Sequence, residues 1–336
     1  MAPLGGLIVL LLVGLVAAGI ERHYSNFTIP VSIAARLGVF PDIPAEGNLE
    51  VTAFSQESAY YWDLSYNDYQ YSYTNVALEY GYSTLAIDRL GIGESSHGDP
   101  INEIQAQLEV EALNAITTKL WKGEIPEIEH DYSKVIHVGH SFGSVQSSGF
   151  LLYPDNIDGL VLTGWSADGN FFASQTVPGW NLYSLQKLLS SVGIAASTDL
   201  IWIDVTTTEV GNIINGWNAT SSVSTTPAGV VTENTKQPVT IGEILTIGST
   251  PATTSFGGPV IVFTGEYDQP FCGLDCYATR GVAANIPVQA KSNFPNAAAF
   301  DAYIQPNTGH GINAHFNSTA GNEYVQRWLA VHGLGA

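Results

Sequence analysis

Apolar and polar positions follow two different periods along this chain. Phe27 to Phe40 and Asn48 to Phe54 alternate between apolar and polar residues, which predicts two half-buried strands. More continuous apolar runs predict strands that are buried on both faces. These runs are residues 83–88, 134–140, 160–163, 259–263 and 299–304.

Helical signals lie between these strands. Residues 75–80 are helical in pattern and end at Gly81, a typical helix-ending residue. Asp99-Pro100 predicts the start of a long helix, with Asp as the N-cap and Pro in the first turn. Its buried stripe recurs every three or four residues. Further helices are predicted at residues 142–152 and 320–332.

The alternation of strands and helices predicts an α/β fold with a mainly parallel central sheet covered by helices on both faces. The pattern is interrupted between residues 165 and 257, where Ser, Thr, Gly and Asn dominate and charges are few. We interpret residues 165–257 as a cap (lid) insertion between two parts of one core, 20–164 and 258–336. Ligands of such sheets bind at the carboxyl ends of the strands, so the aromatic residues of the insertion would cover the site.

Composition narrows the choice of partners. Apolar residues make up 45% of the 336 residues, enough for a large buried core. The chain has 11 Lys plus Arg against 31 Asp plus Glu, a formal charge of −20. This charge repels phosphate backbones and anionic lipid headgroups, so we expect nucleic acid to be a poor partner. We also expect no stable membrane insertion once an N-terminal signal peptide has been cleaved.

Residues 1–19 predict a signal peptide. The stretch has no charged side chain, and the small residues at 16–18 suit cleavage near Ala18 or Gly19. The expected location is therefore extracellular, and the alternative is a retained N-terminal membrane anchor. Three glycosylation sequons, at Asn26, Asn218 and Asn317, agree with export.

The chain has two cysteines, Cys272 and Cys276. In an oxidising compartment a short-loop disulfide is the expected state, and a reduced pair of small core residues is the alternative. No second cluster of Cys or His has the spacing of zinc ligands, so we expect no metal site.

The candidate chemistry centres on residues 134–144, where an apolar strand runs into Gly-x-Ser-x-Gly. This pattern is typical of a nucleophile elbow, a tight strand-to-helix turn that presents a serine hydroxyl above a sheet. The two glycines leave room for a strained backbone at the serine. The motif predicts Ser141 as a nucleophile.

A serine nucleophile needs a base to take its proton and an acid to orient that base. Asp268 follows a predicted strand and a Gly, which makes it the expected acid; Asp168 and Asp275 are its rivals. His310 lies between two glycines after the last predicted strand, and His315 is the fallback. The chain order Ser, Asp, His supports this choice.

These residues resemble the α/β-hydrolase family over nearly the whole mature chain, and look most like secreted fungal esterase- or lipase-like serine hydrolases. Residues 88–95 are similar to the Asp-x-x-Gly-x-Gly-x-Ser loop that precedes the elbow in these enzymes, and the acid and histidine motifs follow in the family's order. The resemblance implies an oxyanion hole formed by the N–H of Phe142 and a donor after the third strand. Many members carry His-Gly there, whereas this chain has Ala53-Phe54-Ser55, so the second donor is expected at Phe54 or Ser55.

The resulting expectation is a cofactor-free serine hydrolase that cleaves carboxylic esters of a fairly apolar small-molecule or lipid-like substrate. Aminopeptidase, hydroxynitrile lyase and perhydrolase activities use the same fold and keep the serine, so they are the alternatives within it. A non-catalytic binding protein on the same scaffold is the alternative outside enzymology.

Overall fold

A computed structural model describes residues 7–10, 27–36, 44–53, 61–93, 95–128, 132–171, 202–203, 239–249 and 254–336. Ten strands lie in these residues: β1 (Leu7–Leu10), β2 (Phe27–Arg36), β3 (Pro44–Ala53), β4 (Ser83–Thr84), β5 (Val135–His140), β6 (Gly159–Thr163), β7 (Trp202–Ile203), β8 (Val239–Thr240), β9 (Val260–Gly265) and β10 (Phe300–Gln305). The α-helices of the same residues are α1 (Tyr66–Tyr69), α2 (Tyr73–Glu79), α3 (Ala106–Trp121), α4 (Phe142–Gly149), α5 (Ile241–Thr246), α6 (Gln269–Cys272) and α7 (Ser318–Leu329).

Six strands form the central sheet, in the order β10-β9-β6-β5-β1-β4. Every pairing in this sheet is parallel. The carboxyl ends of the strands therefore meet at one edge, where His140 of β5 lies beside Thr163 of β6. This is the edge at which the sequence predicts the site.

Helices cover both faces of the sheet. Odd and even strand residues point to opposite sides, so Val260 and Val262 pack with α3 and α4, while Ile261 and Phe263 pack with α2 and α7. The residues of β5, β6 and β9 are buried throughout except at the end of β5. Burial on both faces explains why these strands are continuous apolar runs in the sequence.

The long helix starts later than the sequence predicts. Asp99 does cap a turn, because its Oδ1 accepts from the N–H groups of Ile101 (2.9 Å) and Asn102 (2.7 Å). The chain then becomes extended at Gln105 (φ −132°, ψ 160°), and α3 begins at Ala106. The carbonyl of Ile104 accepts from the Thr240 hydroxyl at 2.9 Å instead of from a helical N–H. A contact 136 residues away thus ends the first turn.

The two alternating segments at the N-terminal side form β2 and β3, as predicted, but outside the central sheet. They pair antiparallel with each other, from Phe27 opposite Ala53 to Arg36 opposite Pro44. The strand beside β5 is instead β1 (Leu7–Leu10), which also pairs with β4. Cleavage after residue 18 or 19 would remove β1 from this position, so the predicted leader and a retained β1 are mutually exclusive.

Most of the predicted insertion, residues 172–201 and 204–238, lies outside the described residues. The described chain continues with β8 and α5, and the first turn of α5 is closed by a capping box between Thr240 and Glu243. No helix in the described part of the chain is long and apolar enough to cross a membrane.

Candidate active site

Ser141 lies at the predicted elbow, between β5 and α4. Its backbone has φ 53° and ψ −116°, a region that residues with a side chain seldom adopt. The Ser141 N–H donates to the carbonyl of Thr163 at 2.9 Å, which fixes the turn to β6. A Cβ on Gly139 would lie 2.3 Å from the carbonyl oxygen of Gly143, so the first glycine is required by the closeness of strand and helix.

Three predicted residues meet at this edge of the sheet. The Ser141 hydroxyl lies 2.8 Å from Nε2 of His310, and Nδ1 of the same ring lies 2.9 Å from Oδ2 of Asp268. The carboxylate accepts a hydrogen bond from Nδ1–H, which leaves the Nε2 lone pair facing the serine. Asp268 is fully buried and His310 is 5% exposed, so bulk water does not compete for these bonds.

The carboxylate of Asp268 has two further donors. The Thr264 hydroxyl, near the end of β9, donates to Oδ2. The N–H of Phe271 donates to Oδ1 at 3.0 Å. Together with His310 these donors fix the carboxylate plane. Sequence reasoning missed Thr264, because a Thr inside a buried strand has the pattern of a core residue.

The alternative acids, Asp168 and Asp275, and the alternative histidine, His315, make other hydrogen bonds. Asp168 accepts from the N–H of Asn170 at 3.0 Å, and Asp275 is exposed and accepts from the N–H of Tyr277 at 2.9 Å. The Nε2 atom of His315 accepts from the N–H of Gly309 at 3.0 Å. His315 therefore supports the loop that carries the neighbouring histidine.

His140, the last residue of β5, makes a polar contact beside the site. Its ring is stacked on Tyr61 (centroids 4.1 Å apart) and its Nδ1 lies 2.9 Å from the Tyr61 hydroxyl. Its centroid is 4.9 Å from that of His310. Burial and the neighbouring His310 lower the pKa of His140, and burial raises the pKa of Tyr61, so both side chains are neutral.

Phe142, the first of the predicted oxyanion donors, directly follows Ser141. Phe142 is the first residue of α4, and helix N-termini have N–H groups without intrahelical partners. Phe54 and Ser55, the predicted second donors, lie outside the described residues, so their role stays a prediction. The strand that precedes these two residues, β3, pairs with β2, and the position next to β5 belongs to β1.

A buried charge cluster lies behind the elbow. Nη1 of Arg89 bonds Oε1 of Glu109 at 2.9 Å and also Oε1 of Glu243 from α5. The guanidinium sits 4.8 Å from the ring centroid of Phe142. Burial and the nearby Glu243 raise the pKa of Glu109. The cluster joins the elbow, α3 and α5.

The structure describes the two cysteines and one of the three predicted glycosylation sites. Cys272 and Cys276 form a disulfide with an S–S distance of 2.09 Å. Asn317 precedes α7 and its Nδ2 donates to the carbonyl of Pro306 at 2.8 Å. Asn26 and Asn218 lie outside the described residues. Among the residues that are described, no three His, Cys, Asp or Glu side chains are grouped as metal ligands would be.

Solved structures of several enzymes superpose on this chain. An esterase from Thermogutta terrifontis matches with a TM-score of 0.52 at 12% identity, covering 90% of this chain and 99% of its own. An esterase from Exiguobacterium antarcticum gives 0.52 at 13% identity, over 89% and 100%. A proline iminopeptidase-related protein from Thermus thermophilus gives 0.51 at 13% identity, over 90% and 98%.

No family model matches the sequence, and no curated protein matches it either. The resemblance to secreted fungal enzymes stays a prediction. At these identities the structural likeness establishes the fold and leaves the substrate open. A parallel sheet with helices on both faces, and neighbours of this kind over nine-tenths of the chain, show that this protein has the α/β-hydrolase fold.

Proposed function

We propose that this protein is a serine hydrolase that cleaves carboxylic esters through an acyl-enzyme intermediate. The observation that carries the proposal is the continuous hydrogen-bonded array from Ser141 through His310 to Asp268 at the carboxyl edge of the sheet. An isolated serine hydroxyl is a poor nucleophile, and this arrangement supplies both the base and its orienting acid.

The first half of the reaction forms the acyl-enzyme. The Ser141 oxygen attacks the ester carbonyl carbon while its proton passes to Nε2 of His310. The negative charge that develops on the carbonyl oxygen is stabilised by the N–H of Phe142. When the tetrahedral intermediate collapses, the C–O bond to the alcohol breaks, and the leaving oxygen takes the proton from Nε2.

The second half repeats these steps with water. Nε2 of His310 takes a proton from a water molecule, whose oxygen attacks the acyl carbon. Collapse then releases the carboxylic acid and returns the proton to the Ser141 oxygen. Throughout, Asp268 remains ionised and keeps Nδ1 as the donor, so that Nε2 alone exchanges protons.

The substrate side of the proposal rests on composition. The predicted cap at residues 165–257 is rich in aromatic side chains and poor in charge, which favours an apolar acyl or alcohol group. We therefore propose a small-molecule or lipid-like ester as the substrate.

The test is hydrolysis of chromogenic esters by wild type and by Ser141→Ala. Removal of a triad serine lowers turnover by on the order of 10⁶. Ser144→Ala is the matched control, because Ser144 lies on the same helix but donates to the carbonyl of Thr163 at 2.8 Å. Equal activity of wild type and Ser141→Ala would overturn the proposal.

Assays with esters and with aminoacyl amides separate the activities that share this fold. The ester-hydrolase proposal predicts that kcat/KM is higher for an ester than for the amide of the same acyl group. A preference for aminoacyl amides would replace it by an aminopeptidase. Esters of increasing acyl length then measure the depth of the pocket.

We further propose that the protein is exported and that residues 1–19 are its signal peptide. The disulfide between Cys272 and Cys276 supports an oxidising compartment. Intact-mass measurement of deglycosylated protein secreted from eukaryotic cells tests this directly. We expect the mass of a chain whose first residue is 19 or 20. The mass of a chain that still contains Leu7–Leu10 would instead support β1 as a retained strand of the sheet.

A further inference from the structure

We propose that the disulfide between Cys272 and Cys276 is a positioning element for the catalytic acid, which sets kcat by holding Asp268 and His310 in register. The inference rests on the proposed serine hydrolase mechanism. It assigns to the disulfide a role in the reaction rather than in overall stability alone.

The disulfide begins one helical turn after the acid. Asp268 is the N-cap of α6 (Gln269–Cys272), and its Oδ1 accepts from the N–H of Phe271, the residue before the first cysteine. Its main-chain carbonyl accepts from the N–H groups of Cys272 (3.1 Å) and Leu274 (3.2 Å). Both the side chain and the main chain of Asp268 therefore depend on this turn.

The same turn contacts the histidine. The ring of Phe271 is stacked against His310, with centroids 5.8 Å apart and an angle of 26°. The carbonyl of Phe271 accepts from the Ser166 hydroxyl at 2.6 Å, which ties the turn to the segment after β6. A displacement of α6 would therefore move the donor to Asp268 and the surface behind the imidazole together.

One residue of this turn, Leu274, has a backbone conformation that its side chain disfavours. Gly273 and Leu274 have φ of 62° and 78°, and the left-handed region is unfavourable for a residue that carries a Cβ. The disulfide closes the chain around these two residues. The second cysteine is held in place by the main chain, because the N–H of Cys276 donates to the carbonyl of Glu266 at 2.9 Å.

The disulfide is buried against the strand that leads to the histidine. Cys272 is 1% exposed and Cys276 is 0% exposed, and they pack with Ile286 and Ile304. Ile304 belongs to β10, the strand that leads to the His310 loop. The disulfide thus lies between the acid turn and the strand of the histidine, where it holds the two to a common support.

The experiment is a double-mutant cycle of Cys272→Ala, Cys276→Ala and the pair. Either substitution breaks the same bond, so all three variants should lose about tenfold in kcat with little change in KM, and the losses should not add. Ile116→Ala, in the core of α3, is the matched control for general destabilisation. Its kcat should stay near that of wild type when both are assayed well below their melting temperatures.

Two further measurements separate positioning from stability. The low-field proton resonance of His310 Nδ1–H should broaden or move in the disulfide-free variants and stay unchanged in Ile116→Ala. Leu274→Gly added to the double variant should recover part of kcat, since glycine adopts positive φ without a Cβ penalty. Unchanged kcat and an unchanged resonance in a folded double variant would overturn the inference.

Reduction of the wild-type enzyme provides the same test without substitution. Tris(2-carboxyethyl)phosphine and water convert the disulfide into two thiols and the phosphine into its oxide, and mass spectrometry after alkylation counts the thiols. We expect kcat to fall in the reduced fraction and to return on reoxidation; full kcat in a fully reduced sample contradicts the inference. If the wild-type protein reacted with neither esters nor fluorophosphonates, that result would instead contradict the proposed function.

Discussion

Ser141 has a backbone conformation that the chain adopts because its neighbours allow no other arrangement. Its φ of 53° is held by the hydrogen bond to Thr163 and by the contact of Gly139 with the first turn of α4. Strain of this kind persists only where the surroundings determine it, and it aims the hydroxyl at His310. The site therefore requires a residue without a side chain at position 139 as well as the hydroxyl of Ser141.

Gly139→Ala tests this requirement. The new Cβ would lie 2.3 Å from the Gly143 carbonyl oxygen, so strand and helix must separate. We expect the free energy of unfolding to fall by about 1–3 kcal/mol, as in other overpacked cores, and kcat to fall with it. Urea denaturation and ester hydrolysis measure the two effects. Gly169→Ala is the control, since a Cβ there meets no atom of the described residues within 4 Å.

Thr264→Val tests the support of the acid. The substitution keeps the shape of the side chain and removes the hydroxyl that donates to Oδ2 of Asp268. Without this donor the carboxylate is less firmly oriented towards His310, so we expect kcat to fall by about tenfold. Steady-state kinetics with one chromogenic ester would show it. An unaltered kcat would mean that Phe271 and His310 suffice to orient the carboxylate.

At the scale of elements, sequence patterns identify Ser141, Asp268 and His310 but not the residues that hold them in position. The three residues of the array follow β5, β9 and β10, and each lies beside a glycine or after one, so local pattern and chain order reveal them. Thr264 and Tyr61 act through contacts that no local pattern records. Tyr61, for example, meets a histidine 79 residues away.

The same limit explains the misplaced start of α3. Asp99 and Pro100 are correct signals for a helical turn, and the turn is there. The Thr240 hydroxyl donates to the carbonyl of Ile104, and the N–H of Gly242 donates to the carbonyl of Pro100. Capping residues predict where a turn can begin, whereas distant hydrogen bonds decide whether it continues.

The contact of β5 with α3 predicts an acid-sensitive fold. Burial lowers the pKa of His137 to about 3. Its Nε2 lies 3.0 Å from the Thr117 hydroxyl, which itself donates to the carbonyl of Leu113 at 2.8 Å. The hydroxyl oxygen therefore accepts from Nε2–H, and the buried ring is neutral.

The sign follows from proton uptake. An unfolded histidine titrates near pH 6.5, so between about pH 6.5 and 3 the unfolded chain binds a proton that the folded protein excludes. Stability should fall by about 1.4 kcal/mol per pH unit as the pH decreases through this window. Urea unfolding of wild type and His137→Gln at several pH values measures it. Identical slopes for the two proteins would contradict the assignment.

At the scale of the whole molecule, one sheet organises both the core and the site. Its two faces carry separate apolar layers, and its carboxyl edge carries the polar array. Composition predicted an acidic protein with a large core, and periodicity predicted the α/β arrangement. Neither predicted that β1 rather than β3 lies beside the elbow strand, because pairing partners in a parallel sheet are set by long-range packing.

Covalent labelling by a fluorophosphonate, followed by peptide mapping, tests the central claim most directly. The account predicts one label per folded molecule, on the Ser141 oxygen. The label should be absent in Ser141→Ala, slow in His310→Ala and retained in Ser144→Ala. A folded wild-type protein that remains unlabelled, or one labelled at another residue, would contradict the claim that Ser141, His310 and Asp268 form a working nucleophile.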